Sequence, residues 1–378
     1  MRNPRLNTNI LEVPLYIAGR SIQEIEEDYG LTKVTKLASN ESPVGPSPLA
    51  LEAAQRMLQE AHRYPGVVER DLRRKLAARL HPELDESNIV IGNGGTDVLR
   101  MITQAFVFDG GNTVMSRAAF PMYHIFTTTF GGTPRQVAPA PDYGHDLAAM
   151  ANQIDDDTRI VYLCSPNNPT GHIITQAEAD EFMDCVPGHV VVVFDEAYRA
   201  YVTAPEYADS LAYVKEGRNV LILRSFSKAM GLANMRVGYL IGPVELANYL
   251  QHVRLPFHTG DIPLAAALAS LDDTVYHTRH RKTVLEEREY LYTALCEMNP
   301  SLNCLPSQAN FIIILDPPMG AGALTERLLQ RGFIVRAMGA FGLPNAIRVS
   351  IGTPEENRKF VAVLEDVLEK STVDKVDR

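Results

Sequence analysis

The 378-residue sequence predicts an α/β protein with two domains. The large domain is expected to contain a mostly parallel sheet covered by helices, and a smaller α+β domain follows at the C-terminus. Three observations support this fold class. The chain is too long for one small domain. Fully apolar segments such as 190–194 alternate with amphipathic helices, which indicates strands buried on both faces. The last third of the chain changes to a strand–helix–strand–strand–helix pattern.

The predicted elements divide the chain into three parts, with the domain boundary near residues 256–263. Residues 1–30 are predicted to form an N-terminal arm and a helix at 21–29. Residues 31–260 form the large domain, whose main predicted strands and helices lie at 88–91, 96–106, 113–115, 159–164, 176–185, 190–194 and 220–223. Residues 261–378 form the small domain, with helices or strands predicted at 272–298, 310–315, 321–331, 333–336 and 346–350 and from Pro354 onward.

Composition and charge exclude several classes of protein. The net charge of −10 disfavours nonspecific binding to nucleic acid or to anionic membranes, because both need a positive field. No apolar run approaches the ~20 residues that a membrane helix needs. The first residues lack the apolar segment of a signal peptide, so we expect a cytoplasmic protein.

The cysteines and histidines do not indicate a metal site. None of the four cysteines stands at a CxxC spacing, so we expect reduced, structural thiols. His277 and His280 form an HxxH pair, but no carboxylate or cysteine stands nearby at metal-site spacing. We therefore interpret this pair as part of a solvated helix face and expect no metal.

Polar residues cluster where the predicted strands end. Asp195 and Lys228 follow two neighbouring strands, Asn168 lies in a turn-rich loop after an earlier strand, and the glycine-rich segment 92–96 leads from a strand into a helix. Ligands bind at the carboxyl ends of strands in an open parallel sheet, so we expect these residues to share one site. The glycine-rich turn also offers N–H groups suited to a phosphate.

Three motifs carry a resemblance to a known family. Ser-Phe-Ser-Lys at 225–228, with Arg236 eight positions after the lysine, resembles the lysine motif of fold-type I aminotransferases. The segments 165–171 and 195–198 resemble two further motifs of that family, in the right order. More specifically, the chain resembles the histidinol-phosphate aminotransferase family nearly end to end, through the stretches 37–43, 45–47, 63–65, 334–336 and 347–353.

The resemblance implies the cofactor pyridoxal 5′-phosphate (PLP). Lys228 would supply the primary amine that forms a Schiff base with the PLP aldehyde, and would then move a proton as general base and acid. Asp195 would keep the pyridine nitrogen protonated, which PLP needs to act as an electron sink. Tyr198 and Asn168 would donate hydrogen bonds to the 3′-oxygen of the ring.

The phosphate and the ring of PLP need further partners. The resemblance assigns the phosphate to a helix N-terminus, two hydroxyls and a guanidinium, namely Gly95, Thr96, Ser225, Ser227 and Arg236. It adds Tyr64, whose hydroxyl would reach the phosphate bound in a neighbouring subunit. Of the two aromatic residues in segment 118–123, alignment to the family favours Phe120 over Tyr123 as the ring that stacks on PLP.

Substrate recognition is expected to involve two anions in one site. Glutamate carries a carboxylate next to its amine, whereas histidinol phosphate carries a phosphate ester there, and a bidentate arginine can bind either. The resemblance assigns this role to Arg348, with Arg336 and Asn40 as further contacts and Tyr16 as a residue that closes over the site of a second subunit. It implies a homodimer that transfers an amino group from histidinol phosphate to 2-oxoglutarate.

The match departs from the family in two loops. Met230, Asn234 and Met235 alter the lysine loop, and the segment 94–97 replaces the usual residues of the phosphate loop. Both departures leave substrate preference open.

An aromatic amino-acid aminotransferase on the same scaffold is the nearest alternative. A PLP-dependent decarboxylase and a non-catalytic PLP-binding regulatory domain are more distant ones. A nicotinamide dehydrogenase is disfavoured, since no GxGxxG motif follows an early strand.

Overall fold

The structure is a computed structural model that describes residues 6–13, 21–298 and 302–376. Its strands are β1 (Thr35–Lys36), β2 (Ile89–Gly92), β3 (Asn112–Ser116), β4 (Thr133–Val137), β5 (Thr158–Cys164), β6 (Val191–Asp195), β7 (Val220–Ser225), β8 (Gly238–Ile241), β9 (Asn303–Leu305), β10 (Phe311–Leu315), β11 (Phe333–Ile334), β12 (Arg336–Ala337) and β13 (Ala346–Ser350). Its helices are α1 (Ile22–Tyr29), α2 (Pro48–Met57), α3 (Val68–Leu80), α4 (Gly95–Phe106), α5 (Met122–Thr129), α6 (Leu147–Ala151), α7 (Gln176–Cys185), α8 (Ser210–Lys215), α9 (Val244–Val253), α10 (Asp261–Ser270), α11 (Thr274–Met298), α12 (Ala321–Gln330) and α13 (Pro354–Val376).

The central sheet confirms the predicted α/β class. Its seven strands follow the order β2-β8-β7-β6-β5-β3-β4, and only β8 runs antiparallel to its neighbours. Alternate residues of β6 face opposite sides, so Val192 and Phe194 pack on one core while Val191 and Val193 pack on another. Helices α2, α3, α6, α7, α8 and α10 cover the first face, and α4, α5 and α9 cover the second. Burial on both faces explains why these strands are apolar throughout.

The small domain contains an antiparallel sheet in the order β12-β13-β10-β9, packed against α11, α12 and α13. The N-terminal segment, here residues 21–40, joins it: β1 pairs in parallel with β11, and Ile25 of α1 packs near Leu329 and Ile334. The predicted boundary at residue 260 stays a proposal. Because α10 packs on the core of the large sheet, its packing favours a boundary after this helix.

Two sequence interpretations need correction. The strand predicted at 333–336 is two short strands, since β11 pairs with β1 whereas β12 pairs with β13, and Val335 lies at the crossing between the two sheets. The HxxH pair does not form a solvated face. His280 is buried, with its ring nitrogens 3.0 Å from the hydroxyls of Ser42 and Tyr201. Among the described residues, no helix is long and apolar enough to cross a membrane.

Gly238 of β8 lies directly behind the turn that begins α4, and we expect it to tolerate no larger side chain. A Cβ at this position would lie 2.5 Å from backbone atoms of Gly94 and Gly95. Gly238→Ala should lower the free energy of unfolding, measured with urea, by about 1–3 kcal/mol. Gly322→Ala in α12 is the matched control, because a Cβ there meets nothing within 4 Å. An equal loss of stability in both variants would contradict this account.

Candidate active site

A cavity of about 270 Å³ lies at the carboxyl ends of β5, β6 and β7, where the small domain faces the central sheet. Most of the residues predicted to bind cofactor or substrate line it: Asn40, Gly95, Thr96, Phe120, Asn168, Asp195, Tyr198, Ser225, Ser227, Lys228, Arg236, Arg336 and Arg348. Tyr64 does not line this cavity, and Tyr16 lies outside the described residues. The structure therefore brings the predicted residues together, while their individual roles stay predictions.

Strand register explains this convergence. Cys164 at the end of β5 pairs with Asp195 at the end of β6, and Asp195 pairs with Leu223 of β7. Ser225, which ends β7, pairs with Gly238 at the start of the antiparallel β8. The four strands thus begin or end at one edge of the sheet, and the loops that follow them share one site.

Lys228 lies in the loop after β7. Its Nζ donates a hydrogen bond to the carbonyl oxygen of Ser39 at 2.9 Å and lies 5.8 Å from the centre of the Tyr198 ring. Burial, and next the positive charge of Arg348, lower the pKa of this amine from 10.5 to about 7. A substantial fraction of the amine is therefore neutral at neutral pH, and the neutral form is the nucleophile.

Asp195 is a buried carboxylate on the floor of the cavity. Its Oδ2 accepts a hydrogen bond from the Tyr123 hydroxyl at 2.7 Å, and its Oδ1 accepts one from the Ala197 amide at 3.1 Å. Burial raises the pKa of Asp195 to about 6, although the two hydrogen bonds oppose this shift. The next residue, Glu196, belongs to a separate network, since it pairs with Arg224 at 2.8 Å. Asp195 is therefore the carboxylate of this pair that can face a ligand.

Tyr198 and Asn40 form a second polar layer. The Asn40 amide donates to the Tyr198 hydroxyl at 3.0 Å, and its Oδ1 accepts from the Ser350 hydroxyl at 3.0 Å. Asn40 has a φ of 53°, a left-handed conformation that asparagine adopts more readily than most residues. Burial raises the pKa of Tyr198 to about 12, so this phenol stays protonated and can donate a hydrogen bond.

Arg348 connects three parts of the chain. Its guanidinium donates to the Oδ1 of Asn168 in the large domain and, at 3.0 Å, to the carbonyl oxygen of Ala38 in the N-terminal segment. It lies over the rings of Phe311 and Phe341, with its Cζ 5.1 and 5.4 Å from their centres. These contacts hold a buried charge in a fixed orientation at the cavity wall.

Arg336 lies directly opposite Arg348, because the antiparallel pairing of β12 with β13 sets these two residues in register. Both side chains line the cavity. Two neighbouring guanidiniums favour an anion that offers several oxygens, such as a carboxylate or a phosphate ester.

A separate group of residues fits a phosphate. Gly94 has a φ of 85°, and a Cβ there would overlap the Arg236 guanidinium, so only glycine leaves this space open. Helix α4 begins at Gly95 and directs N–H groups toward the cavity. Arg236 is placed by hydrogen bonds to the Ala233 carbonyl at 2.8 Å and to the Ser227 hydroxyl at 3.4 Å.

The aromatic residues of segment 118–123 have different surroundings. Phe120 lines the cavity, as a residue that is predicted to stack on the PLP ring must do. Tyr123 is buried beneath it, and the two rings are nearly perpendicular with 5.9 Å between their centres. Tyr64 is 80% exposed and stacks on Phe257 at 4.6 Å, so its predicted contact with a second subunit stays a prediction.

Sequence reasoning missed three contributors to the site. Ser39 acts through its backbone carbonyl, which residue identity does not indicate. Gly238 matters because of what lies behind it in the fold. The sequence indicates Tyr123 only as an alternative stacking residue, because its hydrogen bond to Asp195 joins residues 72 positions apart.

The assembled site fits the predicted cofactor. An amine of lowered pKa, a buried carboxylate and a phosphate cradle surround one cavity, and two guanidiniums face them from the small domain. PLP has an aldehyde, a ring nitrogen that must stay protonated, and a phosphate. Each of these groups has a chemically suitable partner in Lys228, Asp195 and the Gly95–Arg236 region.

Comparisons with known proteins agree with this chemistry. The family described as aminotransferase class I and II matches residues 32–364. A histidinol-phosphate aminotransferase from a Geobacillus species is 40% identical over 97% of this chain and 98% of the relative. A histidinol-phosphate aminotransferase from Bacillus subtilis is 38% identical over 96% of this chain and 100% of the relative. The structure of histidinol-phosphate aminotransferase from Sinorhizobium meliloti in complex with pyridoxal-5′-phosphate has a TM-score of 0.87 at 27% identity, over 97% and 98% of the two chains.

The lowered pKa of Lys228 should appear in its reactivity. In cofactor-free protein, pulse acylation followed by peptide mapping should show half-maximal labelling of Lys228 near pH 7. Lys359 is the internal control, because its ion pair with Glu355 raises its pKa. Arg348→Met should move the Lys228 midpoint to higher pH, since a nearby positive charge disfavours the protonated amine. A Lys228 midpoint near that of Lys359 would refute this assignment.

Proposed function

The chain belongs to the aminotransferase class I and II family, and from that premise we propose that it transfers the amino group of histidinol phosphate to 2-oxoglutarate with PLP as cofactor. The products are imidazole-acetol phosphate and glutamate, in histidine biosynthesis. One observation carries the proposal: the amine of Lys228, with its pKa lowered to about 7, shares a cavity with the buried Asp195 carboxylate and the Arg336–Arg348 pair.

The residues divide the reaction between them. When bound, PLP supplies an electron sink that stabilises negative charge at the α-carbon of the substrate. Lys228 would hold the cofactor's aldehyde through its amine and, once the substrate's amine has displaced it, the freed Nζ would take the proton from that carbon. Asp195 would hold the proton on the ring nitrogen. Tyr198 and Asn168 would bind the ring oxygen, while Phe120 would cover the ring face.

Anion recognition is assigned to the small domain. Arg348 and Arg336 bind the phosphate ester of histidinol phosphate in one half-reaction and a carboxylate of glutamate or 2-oxoglutarate in the other. Asn40, held by Ser350, orients the substrate beside Arg348. The cofactor phosphate is assigned to Gly95, Thr96, Ser225, Ser227 and Arg236.

A homodimer in the cytoplasm completes the proposal. Four large apolar or aromatic side chains lie close in sequence or in space on the exposed surface of the large domain: Tyr64, Val67, Leu255 and Phe257. An exposed patch of this kind is typical of a subunit interface. Tyr64 then reaches the cofactor phosphate of the second subunit, and Tyr16 contacts the second site. The low cysteine count agrees with a reducing compartment.

An aromatic amino-acid aminotransferase is the second candidate, and the aromatic walls of the cavity favour it. With Phe120 assigned to the cofactor ring, Phe341 also lines the cavity and would contact a phenyl ring as well as an imidazole. The two candidates share the same chemistry and differ in the donor.

The covalent attachment of PLP can be located directly. The protein purified with PLP should be yellow, borohydride should bleach it, and peptide mapping should then find the pyridoxyl group on Lys228. Asp195→Ala should abolish transamination while the protein still unfolds cooperatively. A label on another lysine, or near-normal turnover of the Asp195 variant, would overturn the assigned roles.

The donor can be identified by a half-reaction panel. We expect kcat/KM for histidinol phosphate to exceed that for phenylalanine, tyrosine and histidine by at least about 100-fold, since the phosphate ester offers the two guanidiniums more oxygens and more negative charge than the carboxylate of an amino acid. Arg336→Gln should reduce kcat/KM for histidinol phosphate more than for phenylalanine. A higher kcat/KM for phenylalanine would favour the second candidate without changing the reaction type.

A further inference from the structure

Tyr123 makes a buried contact that the roles assigned above do not use. Its hydroxyl donates a 2.7 Å hydrogen bond to Oδ2 of Asp195, and its side chain is 1% exposed. Tyr123 does not line the cavity. It therefore acts on anything bound there through residues of the cavity wall, above all Asp195, with which it forms a hydrogen bond.

The position of Tyr123 is fixed from below by further contacts. Its ring stacks on Tyr162 at 4.7 Å with an interplanar angle of 8°. The Tyr162 hydroxyl lies 2.7 Å from that of Thr103, which donates to the Leu99 carbonyl of α4 at 2.8 Å. A continuous buried path therefore links Asp195 to the helix whose N-terminus is assigned to the cofactor phosphate.

The charge of Asp195 depends on the groups that face it. These are Tyr123 from α5, Cys164 from β5, Glu196 and Tyr198 from the loop after β6, and Lys228 from the loop after β7. Burial favours the protonated acid, Glu196 adds to that effect, and Tyr123 and Lys228 oppose it. Burial also raises the pKa of Tyr123 well above 10, so its hydroxyl stays protonated and acts as a donor toward Asp195.

We propose that Tyr123 is a positioning residue that fixes both the orientation and the negative charge of Asp195 beneath the cofactor. This inference rests on the proposed function, because the charge of Asp195 matters to a ligand that presents a protonated ring nitrogen. Removing the Tyr123 hydroxyl leaves Oδ2 of Asp195 buried without this donor. The pKa of Asp195 therefore rises, and its carboxylate takes up a proton at a higher pH than in the wild-type protein. The affinity for PLP should then decline at a higher pH than in the wild-type protein.

The test is the dissociation constant of PLP, measured by absorbance titration of cofactor-free protein between about pH 5 and about pH 8. Wild-type affinity should fall below neutral pH in two steps, as the amine of Lys228 is protonated near pH 7 and the carboxylate of Asp195 is protonated with a midpoint near pH 6. Tyr123→Phe should move this midpoint up by about 1 pH unit and weaken PLP binding about 5-fold at the wild-type midpoint, approaching about 10-fold at lower pH. Tyr162→Phe is the matched control, since it removes a buried hydroxyl one ring away and keeps the stack, and its midpoint should equal that of the wild type.

The outcomes separate the two proposals. A wild-type protein that binds no PLP at any pH refutes the proposed function. If the wild type binds PLP and Tyr123→Phe has the same midpoint, only the role of Tyr123 is refuted. The same holds if Tyr162→Phe shifts the midpoint as much as Tyr123→Phe does. If Tyr123→Phe does not fold, 3-fluorotyrosine placed at position 123 should shift the midpoint to lower pH, because a more acidic hydroxyl is a stronger donor. An unchanged midpoint there also refutes the role.

Discussion

The parallel register of β5, β6 and β7 is the constraint on which the site depends, because it sets the ends of these strands at one edge of a sheet that is buried on both faces. Side chains that directly follow these strands are therefore shielded from water. Burial then disfavours their charged forms, which lowers the pKa of Lys228 and raises that of Asp195. The same geometry thus supplies a neutral nucleophile and a carboxylate whose charge depends on its hydrogen bonds.

Buried charges at this edge persist because each has fixed partners from several elements. Arg348 is held by Asn168, by the Ala38 carbonyl and by two aromatic faces. These contacts come from the large domain, the N-terminal segment and the small domain. The position of the Arg348 guanidinium therefore depends on how these three parts pack together. Asn40 performs a similar function, because its backbone N–H bonds Ser350 while its amide bonds Tyr198.

Much of the fold and site could be predicted from sequence, and the failures have physical reasons. The apolar strand at 190–194 and the polar residues after it follow directly from burial and strand geometry. Strand β4 was missed because it is a half-exposed edge strand containing Pro134, and β8 was missed because it is short and begins with a glycine. The split at Val335 depends on pairing partners distant in sequence, which periodicity does not encode. Tyr123 and Ser39 act through tertiary contacts, one with a residue 72 positions away.

The departures of the lysine loop from the family pattern also acquire a physical meaning. Met230 and Met235 pack against the core of the large domain, and Asn234 is exposed. None of the three lines the cavity, whereas Lys228, Ala233 and Arg236 of the same loop do. These three residues therefore lie away from the groups of the loop that face a ligand. The large sheet supplies Lys228 and Asp195, while β12 and β13 supply Arg336 and Arg348. On the proposed function, selection among donors would therefore depend on the small domain and the aromatic walls rather than on the lysine loop.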